Sequence, residues 1–166
     1  MTAWPTPLRL PLAGLLLALL TACATPPRDA DLADGNVWQG RLALQVDGQP
    51  PQSLSAGFEL RGDPQVGELA LSSPLGQVLA VADWGPAGAR LRQGGSERRF
   101  ASVDDMTTEL TGTALPLAAL FAWLRGQADA PPGWEVDLSA HAEGRLVARR
   151  LAPPPQAELR LRFATP

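Results

Sequence analysis

A second cysteine is missing from this sequence, and so is a second histidine. With Cys23 alone the chain forms no intramolecular disulfide, and packing has to supply its stability. A zinc site takes about four ligands, which Cys23 and His141 cannot provide, so no metal is expected. Any Ser-His-Asp arrangement would have to recruit His141 from the polar stretch "SAHAEG", and no G-x-S-x-G is present. No glycine-rich loop of the phosphate-cradling kind occurs either, since "RQGGSERR" reads as a hairpin turn. The adjacent carboxylates Asp104 and Asp105 fall in the first turn of an expected helix, where acids favour the helix dipole. No enzyme is expected. Lysine is absent altogether: the 14 basic residues are arginines, scattered along a chain of net charge -3. Without a basic stripe and aromatic platforms, nucleic acid is not an expected partner.

A long apolar run is lacking as well. The stretch from Leu10 to Leu20, broken by Pro11, falls short of the roughly 20 residues that span a bilayer. Behind Arg9 it reads as a secretory signal. Its end, Leu20-Thr21-Ala22-Cys23, resembles the lipobox of bacterial lipoproteins, where the thiol takes a diacylglycerol, the signal is cut before the cysteine and the new amine is acylated. A stray cysteine in an ordinary signal is the plainer alternative, and the small residues at 21 and 22 argue against it. The resemblance implies a covalent lipid on Cys23 and no other cofactor. Two or more chains, at about 0.8 kcal/mol per buried CH2, hold stably. Ala24 stands where an aspartate would favour retention in the inner membrane, so the implied destination is the outer membrane, facing the periplasm. The expected organisation is a signal peptide at 1-22, a lipidated cysteine and Pro/Asp-rich tether at 23-36, and one domain at 37-166.

That domain has strand periodicity. Trp38, Leu42, Leu44 and Val46 share one parity; Ala56, Phe58 and Leu60 continue it in the next segment, with polar residues between them. "GELALSS", "QVLAVADW" and "GARLRQG" extend the series through short Gly/Pro/Asp turns, which implies an antiparallel meander. The period then becomes helical. Ser102 and Asp105 have capping-box spacing ahead of Val103, Met106 and Leu110, and Gly112 ends the segment. Leu117, Leu120, Phe121 and Leu124 follow Pro116, with Gly126 as the stop. Strands resume at Trp134, at "GRLVARRLA" and at Leu159 to Phe163. The fold class is therefore mainly β (α+β): a single antiparallel sheet of eight or more strands, curled into an unclosed barrel, with short helices covering the opening. Whether its interior is hollow or filled is open from periodicity alone.

"LSSPLGQVLA" puts Leu75 in a turn, where residues are normally polar. The residues alone favour a leucine tucked back under the sheet edge. However, "WQGRLAL" at Trp38 to Leu44, "SPLGQ" at Ser73 to Gln77 and "LTGTALPLAALFAWLRG" from Leu110 to Gly126, behind a lipobox, together resemble the LolB family of outer-membrane lipoprotein receptors. The resemblance implies an acceptor that takes acylated lipoproteins from a LolA-like periplasmic carrier by their acyl chains and inserts them into the outer membrane, acting as a monomer. It implies that the loop Pro74-Leu75-Gly76 protrudes and serves delivery. It also implies a hollow interior, with Trp38, Leu42, Leu44, Phe58, Leu60, Leu69, Leu71, Leu120, Trp123, Leu124 and Trp134 as candidates to meet acyl chains.

Two features depart from the family pattern. Only "QADAPP" separates Gly126 from Gly133, a shorter segment than usual, and the chain ends at "RFATP" without an aromatic finish. The first puts the far edge of the barrel in question. Two alternatives remain on the sequence: a structural or assembly lipoprotein with a packed core, and a periplasmic binder of another lipid.

Overall fold

The computed structural model describes residues 37-164; the expected signal peptide, Cys23 and the tether lie outside the described residues. β1 (Val37–Val46) and β2 (Gln52–Gly62) pair antiparallel, with Trp38 opposite Leu60 and Leu42 opposite Ala56. β3 (Gly67–Ser72), β4 (Val78–Gly85), β5 (Gly88–Gln93) and β6 (Ser96–Phe100) continue the meander. The helices α1 (Val103–Thr111) and α2 (Leu117–Leu124) come next, then β7 (Trp134–Asp137), β8 (Arg145–Arg150) and β9 (Ala157–Phe163). β9 returns to lie beside β1, which makes one nine-stranded sheet in the order β6-β5-β4-β3-β2-β1-β9-β8-β7. The edges of this sheet, β6 and β7, are the strands that flank the helical segment in sequence. The sheet is not closed, and residues 101-133 carry the chain from one edge to the other.

Beyond the hairpin turn at "RQGGSERR", the sequence pattern does not mark β6 as a strand. Gly94 and Gly95 both have positive φ, 57° and 81°, the backbone of a two-residue hairpin turn. The chain then pairs with β5 from Ser96 to Phe100. Four of these five residues are exposed, so no apolar alternation marks the segment. At the other edge, β7 pairs with β8 directly after the short 126-133 connection.

The helix ends form for local reasons. The Ser102 hydroxyl oxygen accepts from the Asp105 amide at 3.1 Å and donates to the Asp105 carboxylate at 2.8 Å, while Gly112 closes α1 at φ 73°. α2 ends one residue earlier than the glycine: Arg125 is the cap and Gly126 follows it with φ 79°. The Gly126 and Gln127 amides donate to the Trp123 and Ala122 carbonyls, both at 2.9 Å, which is the Schellman pattern. Gly40 answers a different need. A Cβ there would strike the Arg162 carbonyl oxygen, so only glycine lets β9 approach β1 at that point.

The two ends of the sheet are packed differently. At the end holding the β2-β3 and β4-β5 turns, Trp38 and Trp84 each meet Phe121 of α2 edge-on, at ring centroid distances of 5.5 and 6.3 Å. The Trp84 indole N–H donates to the Asp63 carbonyl at 3.0 Å. Trp123, fully buried, lies 5.8 Å from Trp134 and donates to the Asp129 carbonyl. His141, in a 3-10 turn (His141–Glu143), sets its ring at a tilt 5.4 Å from that of Phe163 and bonds through Nε2 to the Leu124 carbonyl oxygen. A carbonyl can only accept, so that nitrogen carries the proton and the histidine serves to tie down the end of α2.

Candidate functional site

The opposite end of the sheet is hollow. Between its concave face and the helices lies a cavity of about 430 Å³, within the size range of pockets that bury small ligands. Its wall alternates along the strands as the pleat requires: Leu42, Leu44 and Val46 from β1, Phe58 and Leu60 from β2, Leu69 and Leu71 from β3, Ala80 and Ala82 from β4, Leu91 from β5, and Leu159 and Leu161 from β9. Met106 and Leu110 of α1, Leu115, and Leu120 and Leu124 of α2 cover it.

Of the residues proposed from sequence to meet acyl chains, Leu42, Leu44, Phe58, Leu60, Leu69, Leu71, Leu120 and Leu124 line this cavity. Trp38, Trp123 and Trp134 do not: Trp38 packs on Phe121, and Trp123 and Trp134 pack on each other on the β7 side of the sheet. Their parity and helical phase fix an inward direction but not a position along the strand. The cavity also takes Leu91, Leu159, Leu161 and Met106, which had the signal of inward periodicity and were not singled out.

No arginine and no carboxylate lines the cavity. The polar lining residues are Gln52, Ser53, Gln93, Thr107 and Thr111. The threonines turn their hydroxyls to the backbone: Thr107 Oγ1 lies 3.2 Å from the Asp104 carbonyl oxygen, and Thr111 Oγ1 lies 2.8 Å from that of Thr107. Among the described residues no buried side-chain polar atom lacks a partner. Such a lining offers an incoming molecule dispersion and burial, with nothing to hold a charge.

The mouth is apolar too. Leu54, Leu79 and Leu110 line the cavity while remaining 36 %, 40 % and 38 % exposed. Leu79 reaches the rim through a register shift in the β3-β4 pair, where Leu71 opposes Ala80 but Ser72 opposes Val78. Such a bulge re-aims a side chain. The turn joining these strands stands at the same end of the sheet. Its Gly76 amide donates to the Ser73 carbonyl at 2.9 Å, the Ser73 amide to the Gln77 carbonyl at 2.8 Å, and the Gln77 amide to the Ser73 hydroxyl at 3.2 Å. Pro74 in the second position and Gly76 at φ 80° suit this turn. Leu75 is left at its tip, 89 % exposed, and is not tucked under the sheet edge.

Known proteins with this sequence pattern agree on a family. The family described as "Outer membrane lipoprotein LolB" matches residues 37-152. The Outer-membrane lipoprotein LolB of Thiobacillus denitrificans is 35 % identical over 128 residues, covering 73 % of this chain and 67 % of its own length. Its namesake in Bordetella petrii is 33 % identical over 141 residues, covering 81 % and 69 %. That of Ralstonia nicotianae is 33 % identical over 142 residues, covering 80 % and 67 %. With an unclosed nine-stranded antiparallel sheet, a helix pair bridging its edges and a match across most of its length, the chain belongs to the LolB family of outer-membrane lipoproteins.

Proposed function

We propose that this protein is the acceptor at the end of a lipoprotein relay: it receives lipoproteins from a LolA-like periplasmic carrier by their acyl chains and releases them into the outer membrane. The observation that carries the reading is the apolar cavity opening at the same end of the sheet as the exposed Leu75 turn. Hydrocarbon is the ligand that such a wall suits, because it asks for no hydrogen bonds and buries apolar area at about 25 cal/mol per Å². The cargo's protein part stays outside, since the lining has no charge to meet it.

In this reading Cys23 carries the covalent lipid that holds the chain at the membrane, and the Pro74-Leu75-Gly76 turn is a probe. Burying one leucine side chain contributes about 1.5 to 3 kcal/mol, which biases a loop toward the bilayer without anchoring it. Direction along the relay follows from affinity differences, about 1.4 kcal/mol per tenfold. No bond is made or broken in the transfer, so no nucleotide is required at this step.

The test uses the full chain reconstituted in vesicles and a carrier loaded with a fluorescent triacylated lipoprotein. Movement of the label to the vesicles without nucleotide is the expected result. If the label stays on the carrier while the chain is folded, the acceptor reading fails and a structural lipoprotein takes its place. If free phospholipid is extracted from the vesicles while cargo is refused, the protein is a binder of another lipid.

A further inference from the structure

The outer face of the sheet carries a feature that the relay does not use. Arg41 on β1 stands directly opposite Arg162 on β9, and Arg162 directly opposite Arg145 on β8. Three like charges therefore run in a straight row across three neighbouring strands, spaced by about 4.8 Å per strand. All three are exposed. Like charges directly opposed across strands are destabilising, and fold stability gives no reason to align them.

The row is also distinguished by what it lacks. Elsewhere on the sheet arginines face carboxylates: Arg61 meets Glu59, Arg92 meets Glu68 and Asp83, and Arg149 and Arg160 share Glu158. Among the described residues Arg41, Arg145 and Arg162 have no ion pair and no side-chain hydrogen bond. In a protein of net charge -3 this is a segregated, unneutralised positive surface.

We infer that the Arg41-Arg162-Arg145 row docks the domain on the phosphate-bearing headgroups of an anionic membrane surface. Planar guanidinium groups at strand spacing suit phosphate oxygens, which accept pairwise from such forks. The place of the row supports this occupant. Arg41 is the fifth residue of β1, and only the 13 residues 24-36 separate that strand from Cys23. At no more than about 3.6 Å per residue, Arg41 stays within about 65 Å of the anchor. The inference rests on the anchoring of Cys23 in the reading above. Its consequence is orientation: the contact is made by the outer face of β1, β9 and β8, so the concave face that holds the cavity is turned away from the surface.

Each basic side chain near an anionic surface strengthens association about fivefold, and three together about a hundredfold. The experiment places the full acylated chain on vesicles of phosphatidylcholine with 30 % phosphatidylglycerol or of phosphatidylcholine alone. Arginine modification by phenylglyoxal is then followed residue by residue with mass spectrometry. The expected result is that Arg41, Arg145 and Arg162 react about fivefold more slowly on the anionic vesicles, while Arg99 and Arg125 react equally on both. Protection should vanish in 1 M salt, where the screening length falls to about 3 Å. Equal reactivity of the row on both vesicles overturns the proposal. So does equal protection on both, which assigns the row to another part of the chain, such as the aspartates at 29, 31 and 34. A chain that fails to float with either vesicle lacks its anchor, and that outcome counts against the Cys23 reading.

Discussion

Leu75 is the residue whose placement the fold does not require. It is 89 % exposed at the tip of a turn fixed by three hydrogen bonds, none of which involves its side chain. Replacing it should cost no stability, and Leu75→Glu is expected to unfold at the parent temperature and to accept cargo normally. Delivery into vesicles should fall by roughly tenfold or more, since the lost leucine burial is worth about 1.5 to 3 kcal/mol and the new carboxylate resists desolvation. Equal delivery rates for variant and parent would end the probe role. A second pair of substitutions separates the hollow end from the packed one. Ala82 lines the cavity and Ala148 is fully buried away from it. Ala82→Phe should fill the void, keep the fold and reduce acyl-chain acceptance, whereas Ala148→Phe should overpack and cost about 1 to 3 kcal/mol. Denaturant titration beside a cargo-binding assay checks both. Parity in the sequence identifies the inward side of strands such as β1 and β2, but volume is a sum over facing strands. A run of alternating residues does not contain that sum, which is why Trp38, Trp123 and Trp134 were grouped with the cavity wall.

The elements that were legible are those whose signals are local. Ser102, Gly112 and Gly126 bracket the helices because caps and stops satisfy backbone groups within a few residues, and Pro116 because its fixed φ suits a helix start. Strands with one dry face declared themselves by alternation for the same reason. β6 escaped because it is an edge. Its inward position opposite Leu91 is held by Arg98, which pairs with Glu109 of α1 and lies 5.1 Å over the Phe100 ring. An inward-pointing charge on an edge strand blocks pairing with a second chain, so the feature that hid the strand is the one that protects it. Arg98→Val should lose little stability, because exposed ion pairs contribute at most about 1 kcal/mol. It should instead make the chain self-associate, visible as a concentration-dependent rise in mass by light scattering, while Arg99→Val, on the outer side of the same strand, should do so less. If both variants stay monomeric, the edge is protected by something other than Arg98.

The molecule as a whole divides its interior between stability and capacity. Trp38, Trp84 and Phe121 at the β2-β3 end, and the Trp123-Trp134 pair on the β7 side, hold the sheet against the helices, and this lets the space between them remain unfilled without collapse. The adjacency of β1 and β9 serves the same purpose: the first and last strands are central, and the seam between β6 and β7 is left to the helices. An unfilled apolar end forfeits dispersion contacts that a ligand can restore. Occupancy should therefore stabilise the fold by mass action, by about 2.7 kcal/mol at a hundredfold excess over Kd. For a domain of this size that corresponds to a rise of about 10 °C in Tm. The measurement is thermal unfolding followed by tryptophan fluorescence, with and without a palmitoylated peptide, on the parent and on Ala82→Phe. A rise in the parent that is absent from the filled variant assigns the stabilisation to the cavity; no rise in either would mean that the void is not a site for acyl chains.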